Sequence, residues 1–148
     1  MPREIAIALV QMEPKLTAVE DNLQRMVELV EEIGAKEKVD LVLFPELITT
    51  GYECGVRFTE LAETVPGHSV NLLANRAKEF NTYIAFGMVE RKKVESVIYD
   101  AAVLIDQMAR SSTNTTRYTC AARNGWPSAM ATATRSCLWK VMSKIWSA

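Results

Sequence analysis

No aspartate or glutamate follows Asp106 in this chain, and His68 is its only histidine. There is therefore no second imidazole around which to build a Ser-His or Cys-His pair, and His68, at an expected helix start, reads as a surface residue. The three cysteines, Cys54, Cys120 and Cys137, are an odd number without CxxC spacing. That excludes a disulfide framework and a zinc site, and it points to reduced thiols. Residues 11–18 contain no glycine, which excludes the phosphate-cradling loop that an unrelated doubly wound nucleotide-binding domain needs after its first strand. Long apolar runs are absent too. Ile5 to Val10 and Leu41 to Phe44 are strand-sized, against the roughly 20 residues required to cross a bilayer. The N-terminus lacks the apolar segment and small-residue cleavage site of a secretory signal. The expected setting is cytoplasmic, with no membrane partner.

What is present is 148 residues, 49% hydrophobic and 24% charged, the balance of one globular α/β-sized domain. The net charge of -1 conceals a sharp division. Residues 1–106 carry 11 Lys and Arg against all 18 acids, a net of -7, whereas residues 107–148 carry 6 cations and no acid. The second segment also holds all three tryptophans, Trp126, Trp139 and Trp146. Two segments of different origin are implied: a domain portion over 1–106 and a basic tail over 107–148 that is expected to be poorly ordered. The cations of the tail are spread rather than clustered, so neither nucleic acid nor an anionic membrane is the expected partner.

Glu4 to Met12 reads as a parallel strand buried on both faces. Val19, Leu23, Met26, Val27, Val30 and Ile33 recur at helical spacing, with acids on the opposite side, and predict an amphipathic helix ending near Gly34. Leu41 to Phe44 is a second buried strand stopped by Pro45. Together these form a βαβ unit. A loop follows, with a short helix expected over Phe58 to Ala62. Ser69 is expected to cap a helix running to Asn81, and strands are expected over Tyr83 to Val89 and Val97 to Asp106. The charged link from Arg91 to Ser96 makes that last pair an antiparallel hairpin. No periodicity stands out beyond Gln107, apart from a weak apolar spacing in Leu138, Val141, Met142 and Ile145.

The strongest chemical signal is Leu41-Val42-Leu43-Phe44-Pro45-Glu46, an apolar strand that delivers a carboxylate to its C-terminal end, where ligands of open α/β sheets bind. Shielded by apolar neighbours, such a carboxylate can act as a general base. The same pattern also fits a solvent-exposed acid closing a strand.

Several segments resemble the nitrilase superfamily of carbon-nitrogen hydrolases in order and spacing. They are Ile5 to Met12, Asn22, Leu41 to Glu46 with Thr50-Gly51-Tyr52, Val65-Pro66-Gly67, Ile84-Ala85-Phe86-Gly87 and Tyr99-Asp100 through Asp106. The resemblance covers residues 4–106 and implies the N-terminal portion of an α-β-β-α sandwich that dimerises face to face. It further implies a Glu-Lys-Cys triad that uses neither metal nor organic cofactor, acting on a small amide, nitrile or carbamoyl compound. On this reading Glu46 is the general base and Tyr52 borders the substrate pocket. Many members have Asn where this chain has Asp100, a small departure.

A larger departure begins at Gln107, where the family continues with a Pro-Asp-Gly-type turn and a strand carrying the catalytic lysine. Asp106-Gln107-Met108-Ala109 back-translates to GAY CAR ATG GCN. One added C after GAY gives GAY CCA RAT GGC, which encodes Asp-Pro-(Asp/Asn)-Gly. In that frame the codons of Thr113 to Cys120 permit Lys-Tyr-Asp-Lys-Val-His-Leu, provided Arg117 uses an AGR codon. Residues 107–148 are accordingly read as a frameshift product. Cys120, before Ala121-Ala122, and Cys137, before Leu138-Trp139, lack the aromatic-Asp pair that follows the family nucleophile, and Cys54 reads as a partly buried thiol. The expectation is a truncated hydrolase without turnover. The alternative is a non-catalytic interaction or regulatory fragment that pairs with a full-length homologue.

Overall fold

The computed structural model describes residues 4–92, 98–106 and 117–118. The elements are β1 (Ile7–Leu9), α1 (Val19–Lys36), β2 (Leu41–Leu43), a 3-10 turn (Gly55–Arg57), α2 (Phe58–Leu61), α3 (His68–Glu79), β3 (Tyr83–Arg91), β4 (Ile98–Ile105) and β5 (Arg117–Tyr118). They build one sheet in the order β1-β2-β3-β4-β5. β1, β2 and β3 run parallel, with Ile7 beside Leu41 and Leu41 beside Tyr83. β4 returns antiparallel to β3, and β5 antiparallel to β4.

Both long helices cover the same face of the sheet. From α1, Leu23, Met26, Val27 and Val30 are buried, and from α3, Val70, Leu73 and Ala77; they meet Val42, Ile84, Phe86, Met88, Val103 and Ile105 in one core. This is the α/β arrangement expected from the βαβ pattern. The alternate side chains Leu41, Ala85 and Leu104 point to the other face and form a separate apolar cluster with Leu43 and Tyr83.

Several expectations need correction. α1 does not end near Gly34 but continues to Lys36. Gly34 is an interior helix position kept small by Phe80, the residue that follows α3, whose ring would overlap a β-carbon there. The first strand is shorter than Glu4 to Met12 and is not buried on both faces: Ile7 is 44% and Leu9 77% exposed. It lies at the sheet edge with the described helices on one side only, so Ala8 packs into the core while its neighbours face outward. Ser69 is not the cap of α3. Gly67 holds that position, and Ser69, one residue into the helix, donates its backbone N–H and its hydroxyl to the Glu63 carboxylate, the N–H at 3.0 Å. Glu63 thus satisfies helix-start donors from outside the helix.

β5 was not legible as a strand, because two residues carry no period; its partners are Val103 and Ala102. The remaining expectations for 107–148, including the weak apolar spacing from Leu138 to Ile145, fall outside the described residues, as does the body of the Arg91 to Ser96 link.

Candidate active site

Phe44 makes the last ladder bond of its strand, its N–H donating to the Ala85 carbonyl at 2.8 Å. Pro45 has no N–H to continue the ladder, and the chain turns across the sheet. The turn is gripped by Gly87 on β3, whose N–H donates to the Pro45 carbonyl at 3.3 Å and whose carbonyl accepts from the Ile48 N–H at 3.2 Å. A side chain at residue 87 would conflict with this path, since a β-carbon would lie 2.7 Å from the Glu46 Cα and 2.8 Å from the Leu47 N. Glu46 is thereby set over the middle of the sheet, directly beyond the C-terminal end of β2.

Leu47 adopts φ of 46°, an unfavourable left-handed conformation for a residue with a side chain. Its burial against Ala62 and Val89 holds it there. From the other side, the buried Asn22 of α1 donates its amide to the carbonyls of Lys15 at 2.8 Å and Thr49 at 2.9 Å, and accepts from the Lys15 N–H at 2.8 Å. Helix, incoming loop and Glu46 loop are tied together by one side chain.

The carboxyl groups of Glu46 and Asp100 are hydrogen-bonded to each other. Burial, reinforced by this bond and by the Glu46 charge, pushes the Asp100 carboxyl up to about 8. Tyr52, on the loop after Glu46, is about half exposed. Partial burial raises its phenol, and the negative charges of Glu46 and Asp100 raise it further. The two residues singled out in the sequence, Glu46 and Tyr52, therefore share one electrostatic site. Asp100, read as a small departure, is its third member and was overlooked together with Gly87 and Leu47. Alternation along β4 puts Asp100 and Ala102 on one face, and the register with β3 makes it the face that the Glu46 turn crosses.

The other candidates stand apart. His68 is exposed and its Nε2 lies 3.4 Å from Glu20. Cys54 is a free, buried thiol that donates to the Thr50 carbonyl at 3.1 Å. Cys120 and Cys137 lie outside the described residues. Among the described residues no cluster of His, Cys, Asp and Glu is placed to hold a metal ion, and no helix is long and apolar enough to cross a membrane.

The family model for carbon-nitrogen hydrolases matches residues 6–135, a span that runs past Asp106. A probable nitrilase of Schizosaccharomyces pombe is 40% identical over 104 residues, and a nitrilase of Pyrococcus abyssi is 32% identical over 104 residues. Each alignment takes in 68% of this chain and 38% of the relative, so the chain spans well under half the length of these proteins. Among solved structures, Nit3 of Saccharomyces cerevisiae, a member of branch 10 of the nitrilase superfamily, superposes with a TM-score of 0.63 at 25% identity, covering 70% of this chain and 40% of that one. A carbon-nitrogen hydrolase superfamily protein of Xanthomonas campestris, with an arsenic adduct in its active site, gives the same TM-score at 20% identity over 72% of this chain and 38% of that one, a likeness of fold. Sequence, sheet topology and family match agree: this chain belongs to the carbon-nitrogen hydrolase family.

Proposed function

We propose that the intact protein hydrolyses a non-peptide C–N bond in a small amide, nitrile or carbamoyl compound, and that the 148-residue chain retains one member of the machinery, Glu46. The observation that carries this reading is the seat of Glu46, beyond a central parallel strand, in a turn built around Gly87 and hydrogen-bonded to Asp100. In the reaction Glu46 takes the proton of a cysteine thiol, the thiolate attacks the substrate carbon, and a lysine stabilises the oxyanion that forms. Tyr52, half exposed beside the carboxyl pair, borders the pocket that receives the substrate. The lysine and cysteine belong to the reading frame restored by one base after the Asp106 codon, and the frame used here replaces them with residues 107–148. The working form is a face-to-face homodimer in the cytoplasm.

The test compares two purified proteins, this chain and the restored-frame product, for ammonia release from a panel of amides and nitriles. Turnover is expected from the restored-frame protein alone, and Glu46→Gln is expected to lower its kcat/KM by a factor on the order of 100 or more. Reproducible hydrolysis by the 148-residue chain overturns the reading.

A further inference from the structure

We infer that residues 15–17 form a clamp on the Tyr52 loop, in which Leu16 and Thr17 are positioning residues that set where Tyr52 stands beside the Glu46 site and so tune the fit of the substrate. This inference rests on the reading of Glu46 as the base and Tyr52 as the pocket border.

The three backbone positions ahead of Tyr52 are each held by the segment between β1 and the first turn of α1. The Thr49 carbonyl accepts from the Asn22 amide at 2.9 Å, and the Thr50 carbonyl accepts from the Thr17 N–H at 2.9 Å. Gly51 lies against Leu16, so closely that a β-carbon at residue 51 would be 2.7 Å from the Leu16 Cδ2. Asn22 also bonds both the N–H and the carbonyl of Lys15, each at 2.8 Å, so α1 fixes the clamp itself. From beyond Tyr52, Arg57 reaches back, its Nη1 donating to the Thr17 Oγ1 at 3.1 Å. Tyr52 is thus bracketed on both sides in the chain by contacts to one turn.

Thr17 has φ of 64°, a left-handed conformation that is a genuine outlier for a β-branched residue. Strain of this kind persists only where the surroundings over-determine it, and it gathers at binding sites. Glycine would follow the same backbone path without strain, but it has no hydroxyl to receive Arg57. What the threonine adds is the Oγ1 anchor, and that anchor acts on the loop that bears Tyr52. Leu16 is 53% exposed and contributes little to the core. Its contact is with the residue next to Tyr52, so its bulk sets the path on which the Tyr52 backbone begins.

The direct test is NMR of the full 148-residue chain with isotope-labelled tyrosine rings, the Tyr52 signal being assigned through Tyr52→Phe. Thr17→Gly, Arg57→Ala and Leu16→Ala are each expected to shift the Tyr52 ring signal and leave those of Tyr83 and Tyr99 in place. The Tyr52 phenol is expected to titrate closer to the ordinary tyrosine value in each, as the ring leaves the charges of Glu46 and Asp100. Thr17→Ser keeps the hydroxyl and is expected to keep the parent signal. Thr17→Gly relieves the strain, so its urea midpoint should equal or exceed that of the parent chain, which separates lost positioning from lost fold. Arg57 is exposed, so its replacement spares the core. A Tyr52 signal unmoved in Thr17→Gly and Arg57→Ala overturns the proposal, as does a Thr17→Ser signal displaced as far as that of Thr17→Gly. In the restored-frame protein the same three variants are expected to raise KM about threefold or more with kcat little changed, the mark of altered binding rather than altered chemistry. Shifted Tyr52 signals without any hydrolysis by the restored-frame protein remove the pocket reading and leave the clamp. Hydrolysis that depends on Glu46, with KM unmoved by all three variants, removes the clamp and leaves the base.

Discussion

Asp100 makes stability depend on pH in a direction unusual for a carboxyl. Its proton affinity is higher in the folded chain, with a carboxyl pushed from 3.8 to about 8, so folding takes up a proton between those values. Stability is therefore greatest below about pH 4 as far as this group is concerned, and it falls as pH rises toward 8. Urea midpoints measured at pH 5 and pH 8.5 are expected to fall with pH, and Asp100→Asn to remove most of that fall. An unchanged slope in the variant would assign the dependence to another group. Asn22 is the second residue with a disproportionate role. Replacing it with alanine leaves the buried carbonyl of Thr49 without its amide donor. The expected loss is about 1–3 kcal/mol of unfolding free energy, measured by denaturant titration, with the Glu46 loop loosened as well.

At the level of elements, the turn from β2 to the Glu46 loop depends on a neighbouring strand that is bare at one point. Gly87→Ala introduces a β-carbon 2.7 Å from the Glu46 Cα. About 1–3 kcal/mol of destabilisation is expected from the forced backbone shift, read as a lower urea midpoint. In the restored-frame protein kcat should fall with it, because Glu46 moves. This element also shows where sequence reading stops. Leu41 to Phe44 and the stop at Pro45 were legible, since β-branched and apolar residues followed by a proline encode a buried strand and its end locally. α1 and the β3–β4 hairpin were legible for the same reason. The end of α1 was not, because Gly34 is retained for packing against Phe80 and not as a terminator. The exposure of Ile7 and Leu9 depends on which face the helices take, and the role of Asp100 depends on cross-strand register. Both are decided by residues distant in sequence, so no local pattern contains them.

For the whole molecule, the helices cover one face of the sheet, and the opposite face carries an apolar cluster centred on Leu41, Ala85 and Leu104. The relatives are longer: an alignment that uses 68% of this chain uses only 38% of either nitrilase. In the proposed triad the groups come from several strands, and Glu46 is the first of them in chain order. The abrupt loss of acidic residues after Asp106 coincides with the point where one added base restores a family-like turn. The most direct measurement is the nucleotide sequence of the coding DNA, read from the Ile105 codon through several hundred bases. The expected result is a restored frame that runs on into a lysine-bearing strand motif and later a cysteine before an aromatic-Asp pair. Stop codons met at once in that frame would contradict it, and residues 107–148 would then be the native continuation of the domain.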